Sequence, residues 1–151
     1  MDLAVVVGTR PEIVKMAPVI LALREADVPF SLIHTGQHYD QELSSVFLEE
    51  LGLGPPDALL DVGSGSQAKQ TAEALIQLEG HFLEHRPKLV LVEGDTNTVL
   101  AAALAAAKLG VDVGHVEAGL RSHDLRMPEE HNRRLTDHLS SYLYAPTDSA
   151  S

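Results

Sequence analysis

Short apolar runs alternate with stretches of helical spacing along almost the whole chain, and this alternation restricts the fold more than any other feature. The runs are LAVVV at 3–7, VPFSLIHT at 28–35, LVLV at 89–92, VDVGHV at 111–116 and YLYA at 142–145. A strand covered on both faces reads as a continuous apolar run, whereas a half-exposed strand alternates. Between the runs the spacing of apolar residues predicts helices over 13–26, 40–51, 66–84, 96–109 and 128–140. Strands that alternate with helices call for a doubly wound parallel α/β sheet of Rossmann-like type, with right-handed crossovers. Residues 54–65, rich in Gly, Pro and Asp, read as a loop with at most a short strand near Leu59-Leu60.

Local punctuation supports these boundaries. Thr9 suits the N-cap of the first helix, with Glu12 three residues on as its capping-box partner and Pro11 in the first turn. Gly52 and Gly110 suit positions just past helix ends, and Arg86-Pro87 closes the long helix before them. The alanine-rich segment 101–107 is helix, since alanine is the strongest helix former. Thr147 looks like the N-cap of one more helix whose body is missing, so the chain reads as one half of a longer design.

At 151 residues the chain is about one domain long. Its formal charge of −11 argues against a duplex nucleic-acid surface or an anionic membrane as partner. Without cysteine it has no disulfide, thiolate metal site or cysteine nucleophile. The N-terminus lacks a basic region, and no apolar run approaches the roughly 18 residues of a membrane span. A cytoplasmic protein is expected.

The candidate chemistry lies between Val92 and Arg134. Asp95 follows the run LVLV just before a helix start, Glu117 follows VDVGHV, and Glu129 and Glu130 follow Pro128 at another helix start. In an open parallel sheet, ligands bind outside the carboxyl ends of the strands, which puts all four acids on one edge. Asp95 also suits an N-cap, and Glu129 and Glu130 suit the positive end of a helix. Carboxylates gathered at one edge repel, which raises the pKa of one and supplies an acid and a base together. On the same edge, GTRPE opens the first helix, where Arg10 and Lys15 suit a phosphate. It is neither a Walker loop nor a Gly-x-Gly-x-x-Gly fingerprint. Gln37-His38, in a turn at a strand end, reads equally as a ligand contact or a polar turn. His81 and His85, and His131 with His138, share helix faces, but no third ligand can be set beside either pair, so exposed helix histidines are expected and no metal. No Gly-x-Ser-x-Gly elbow is present.

Taken in order, GTRPEIVKMAPVI, TGQHYD, VEGDTNT, GHVEAGLRS and MPEEHNRRLTDHLS resemble the non-hydrolysing UDP-N-acetylglucosamine 2-epimerases. The resemblance runs through almost all of the chain. It implies a glycosyltransferase-B-like architecture in which residues 1–151 form the N-terminal Rossmann-like domain and a C-terminal UDP-binding domain lies outside this chain. The family interconverts UDP-N-acetylglucosamine and UDP-N-acetylmannosamine with neither NAD nor metal, by eliminating UDP to a 2-acetamidoglucal and adding it back. Matched motif by motif, Asp95, Glu117 and Glu129 are the implied catalytic carboxylates. Arg10, Lys15, Gln37, His38, Arg121 and Glu130 are the implied substrate contacts, and the choice of Glu129 over Glu130 rests on aligning Pro-Glu-Glu. The resemblance also implies a homodimer, and a second domain that supplies a catalytic histidine and most uridine contacts, so little or no activity is expected of this chain alone. The rival readings are a hydrolysing epimerase or glycosyltransferase of the same architecture, and a non-catalytic nucleotide-sugar-binding or assembly module.

Overall fold

In the computed structural model, residues 2–36, 41–117, 119 and 121–144 are described. They run as β1 (Leu3–Val7), α1 (Arg10–Glu25), β2 (Ser31–His34), α2 (Gln41–Glu50), β3 (Ala58–Leu59), α3 (Gln67–His85), β4 (Leu89–Glu93), α4 (Asn97–Lys108), β5 (Asp112–Val116), α5 (Pro128–Leu139) and β6 (Tyr142–Tyr144). The strands form one parallel sheet in the order β3-β2-β1-β4-β5-β6. Val5 pairs with Leu32 on one side and Leu91 on the other, and Leu91 in turn pairs with Gly114. The chain builds outward from β1 through β2 and β3, then returns to lay β4 on the other side of β1. This reversal opens a crevice at the carboxyl ends of β1 and β4.

The runs of β1, β2, β4 and β5 are continuous because both faces of the sheet are covered there, whereas all three residues of the edge strand β6 are exposed. Ala4, Val6, Val90, Val92 and Val113 face Ala74, Leu78 and Phe82 of α3 and the alanines of α4. Val5, Val7, Leu32 and Leu91 face Ile13, Met16 and Ile20 of α1, with Leu48 and Leu53. Ala101, Ala102, Ala103 and Ala106 have no exposed surface, so α4 is the helix packed most closely into its layer. Small side chains let its axis approach its neighbours. At Gly114 a Cβ would stand 2.6 Å from Leu91 Cδ2 and 3.1 Å from Tyr144 Cε2, which accounts for a glycine in the middle of a strand.

The observed elements differ from the sequence reading at their ends. The strand expected over 28–35 starts at Ser31, because Val28 N–H is taken by Leu23 O at the end of α1 and Pro29 has no N–H to give. Helix α1 starts at Arg10, behind the expected Thr9 cap: Glu12 N–H donates to Thr9 Oγ1, and Glu12 Oε2 accepts from Thr9 N–H at 2.7 Å. The loop over 54–65 contains the two-residue β3. At α4 the cap is Thr96, whose Oγ1 accepts from Val99 N–H, so Asp95 is not the capping residue. The expected cap at Thr147 lies outside the described residues. Among the described residues no helix is long and apolar enough to cross a membrane.

Candidate active site

The crevice between β1 and β4 is built first by a cross-link between two helix starts. Glu12 Oε2 accepts from Gly8 N–H, Thr9 N–H and the Thr9 hydroxyl at 2.7–3.0 Å, while Oε1 accepts from the Thr96 hydroxyl at 2.8 Å. The capping box of α1 therefore also reaches the cap of α4 and fixes the two loops that flank the cleft. Glu12 is almost fully buried. Burial raises its pKa, against the pull of the hydroxyl and amide donors.

Three ionisable groups stand at the floor of this cleft. Glu93, the last residue of β4, has a side chain only 2% exposed, and its Oε1 lies 3.6 Å from Lys15 Nζ. The same ammonium group lies 2.9 Å from Glu117 Oε2. The carboxyl groups of Glu93 and Glu117 thus flank one ammonium group in the lining of the same cleft. Burial first, and Glu117 second, push the Glu93 carboxyl up to about 9. Glu117 is shifted the other way, by its hydrogen bond with Glu93 and then by Lys15. Contact with Glu117 in turn raises Lys15. Two adjacent carboxyl groups with opposite shifts are the pattern that supplies an acid and a base in one place. Glu117 also holds a left-handed backbone conformation, φ 63°, which costs a non-glycine residue roughly 1–2 kcal/mol. Strain of this kind is retained where the surrounding structure enforces it, often at functional sites. The cleft measures about 300 Å³ and is lined by Thr9, Pro11, Glu12, Lys15, Glu93, Gly94, Asp95, Thr96 and Glu117. A larger, more apolar groove of about 500 Å³ between α3 and α5 has no acid in its lining.

Asp95 lines the cleft but is engaged. Its Oδ2 accepts from Arg133 Nε and lies 2.9 Å from Arg133 Nη2, and its main-chain oxygen accepts from Asn132 Nδ2. Glu129 is exposed on the first turn of α5 and borders a neighbouring polar recess with Gln67, Gln70, Thr96, Asn97 and Asn132. Thr96 belongs to both hollows, so all three predicted catalytic acids converge on one edge.

Glu130, expected as a substrate contact, faces inward with no exposed surface. It accepts from Ser122 N–H, His123 N–H, Arg133 Nη1 and Arg134 Nε at 2.8–3.3 Å. The Ser122 amide contributes most to holding its carboxyl down to about 2. In this geometry Glu130 anchors the 122–123 turn to α5, and its own atoms do not reach the cleft. Arg121 Nη1 lies 2.8 Å from Asp137 Oδ2, which also accepts from Gly119 N–H. The other Asp137 oxygen contacts His115 Nδ1 at 2.6 Å, and His115 Nε2 donates to Gly94 O at 2.7 Å. Arg10 is exposed, with its guanidinium carbon 5.4 Å from the centre of the Phe47 ring. Gln37 and His38 lie outside the described residues. The rings of His81 and His85 stack at 4.2 Å, and among the described residues no three His, Asp or Glu side chains are grouped as a metal requires.

Sequence reasoning missed Glu93, Asp137 and the tertiary role of Glu12. The signal for Glu93 was an acid directly following LVLV with no turn residue between, which keeps it in the buried strand register. For Asp137 there was no local signal, because its partners are 16 to 22 residues away.

The chain is similar to known proteins in both sequence and fold. Residues 21–151 match the family model described as UDP-N-acetylglucosamine 2-epimerase. The UDP-N-acetylglucosamine 2-epimerase of Methanocaldococcus jannaschii is 53% identical over 150 residues, which is 99% of this chain and 41% of that protein. Its crystal structure in complex with UDP-GlcNAc and UDP superposes with a TM-score of 0.95, again over 99% of this chain and 41% of that one. A Pseudomonas aeruginosa UDP-2,3-diacetamido-2,3-dideoxy-D-glucuronate 2-epimerase is 45% identical over 97% of this chain and 42% of its own length. The Streptomyces glycosyltransferase SsfS6 shares the fold alone, at 17% identity and a TM-score of 0.57 over 92% of this chain and 42% of that one. The chain thus spans about two-fifths of the length of the curated relatives it matches.

Proposed function

Because the chain belongs to the UDP-N-acetylglucosamine 2-epimerase family, we propose that it is the N-terminal catalytic domain of an enzyme interconverting UDP-N-acetylglucosamine and UDP-N-acetylmannosamine. The observation that carries this reading is the joining of Glu93, Lys15 and Glu117 at the floor of the switch-point cleft, with Asp95 on its wall. The proton at C-2 of the sugar is not beside a carbonyl, so direct removal to a carbanion is very costly. Elimination avoids this: the C-2 proton goes to a base while the C-1 oxygen bond breaks and UDP departs with its electron pair. Addition of UDP to the resulting 2-acetamidoglucal, with the proton delivered to the opposite face of C-2, completes the inversion.

Such a route needs carboxylates on the cleft and cations for the departing diphosphate. Glu117, kept ionised by Lys15, suits the base, and Asp95 and Glu129 are the other proton-handling groups. Lys15 and Arg10, at the start of α1, suit the diphosphate, where the helix N-terminus adds to the attraction. Arg121, Gln37 and His38 are proposed substrate contacts, and Glu130 acts by fixing the 122–123 turn that follows Arg121. The partners in this reading are a C-terminal UDP-binding domain and a second copy of the enzyme, and no redox or metal cofactor takes part.

The test is turnover of UDP-N-acetylglucosamine with detection of UDP-N-acetylmannosamine, by this chain alone and by this chain mixed with the second domain of a family member. Activity in the mixture only is expected. Activity of the lone chain would overturn the two-domain reading, and release of free N-acetylmannosamine would show a hydrolysing enzyme. Silence in both, with the chain folded, would favour a non-catalytic binding module. The 45% identity to the diacetamido-glucuronate enzyme carries a second reading, the same inversion on that sugar nucleotide, and the assay includes it as substrate.

A further inference from the structure

We propose that Glu93 is a positioning acid for Glu117: its carboxyl group keeps its proton, donates it to the Glu117 carboxylate, and so holds that group ionised at the cleft. What Glu117 does to substrate rests on the function proposed above, but the placement of the proton is a property of the free chain. The two carboxyl groups close on one ammonium and line one cleft, so a proton kept on either can be donated to the other, whereas two carboxylates have none to share. Lys15 decides which of the two carries the charge. Its ammonium is 2.9 Å from Glu117 but 3.6 Å from Glu93 Oε1, an atom buried without a hydrogen-bond partner. An ionised Glu93 would leave that oxygen charged in the interior with only the ammonium at 3.6 Å to offset it, which is costly, whereas a protonated one leaves only a neutral carbonyl.

The groups facing the pair agree with this placement. Glu12, from α1, repels charge on Glu93. On the other side His115 of β5 favours charge on Glu117. Asp95 lines the same cleft but is paired with Arg133. Burial and these neighbours push Glu93 up to about 9 and Glu117 down, in the same sense as the geometry. The arrangement also controls total charge. With the proton on Glu93, the trio of Lys15, Glu93 and Glu117 is neutral. Without it the trio is negative, in a cleft that must admit a diphosphate.

The experiment is infrared spectroscopy of the substrate-free 151-residue chain, following the carbonyl stretch of protonated carboxyl groups from neutral pH upward. A band is expected at neutral pH that shifts in heavy water, titrates away as pH rises through about 9, and is lost in Glu93→Gln. In Glu117→Gln the repelling carboxylate is gone, and the band is expected to titrate at lower pH. No such band in the wild-type chain, or one that survives Glu93→Gln intact and so belongs to Glu12, would overturn the proposal. Circular dichroism reports whether Glu93→Gln folds. If it does not, the Glu117→Gln titration decides, and an unmoved band counts against the proposal. No substrate is present, so failure of the epimerase assay leaves these outcomes readable.

Discussion

Glu93 and Glu130 are both buried glutamates near the same sheet edge, and the fold treats them in opposite ways. Glu130 receives two amides and two guanidinium groups, and its carboxyl is held down to about 2. Glu93 meets a second carboxyl group, leaves one oxygen without a hydrogen-bond partner, and is pushed up to about 9. Burial alone therefore says nothing about the charge of an acid. The donors that come with it decide, and they separate an anchor from a group able to hold a proton in a site.

The strongest way to sharpen this contrast is to disable the group that Glu93 serves. In an enzyme completed by a second domain, Glu117→Gln should lower turnover by about 10²–10⁴-fold, the usual span for losing a general acid or base. Near-wild-type turnover would remove Glu117 from the chemistry. Next comes the anchor: Glu130→Ala orphans the Ser122 and His123 amides and leaves Arg133 with Asp95 alone. Its melting temperature should fall further than that of any other variant here, and a melt equal to wild type would refute the anchoring role. Because the Glu130 pKa is depressed, its stabilisation is present above the unfolded value near 4.5 and is lost as pH falls toward about 2. Acid titration of wild type against Glu130→Gln checks that window.

A smaller effect is expected from Thr96→Val, which removes both the α4 cap and the donor to Glu12. Chemical denaturation should show a loss of about 1–2 kcal/mol. The change expected from Glu93→Gln is set by pH and has no single size. A raised pKa in the folded state means stability that is full below 4.5 and lost as pH rises toward about 9. The variant lacks this loss, so its melting temperature should gain on wild type across that interval, and a constant difference would contradict the shift.

Much of the frame was legible because strand and helix periods are local. LAVVV, LVLV and VDVGHV form three of the four interior strands, and Thr9 and Glu12 form the capping box their spacing predicts. The edge on which the acids gather was legible from the same periods, since the carboxyl ends of parallel strands share one side. Pairing was not. That Asp95 meets Arg133, that Glu130 turns inward, and that Lys15 bridges to Glu117 depend on contacts across 38, 8 and 102 residues. Position after Pro128 suits both Glu129 and Glu130 equally in sequence. Only helical rotation separates them, sending the first outward and the second into the interior.

Helix α5 holds contacts to every loop that carries one of the predicted catalytic acids. Asn132 and Arg133 grip Asp95, Glu129 sits on the helix itself, and Asp137 receives Gly119 and Arg121 from the loop behind Glu117. Through His115, Asp137 also reaches the carbonyl of Gly94. The helix is in this sense a common datum for the acids. A small rigid displacement of α5 would carry the two loops with it and keep the spacing of the three acids, so a load applied there would change the width of the cleft before it changed the arrangement of the groups that work in it.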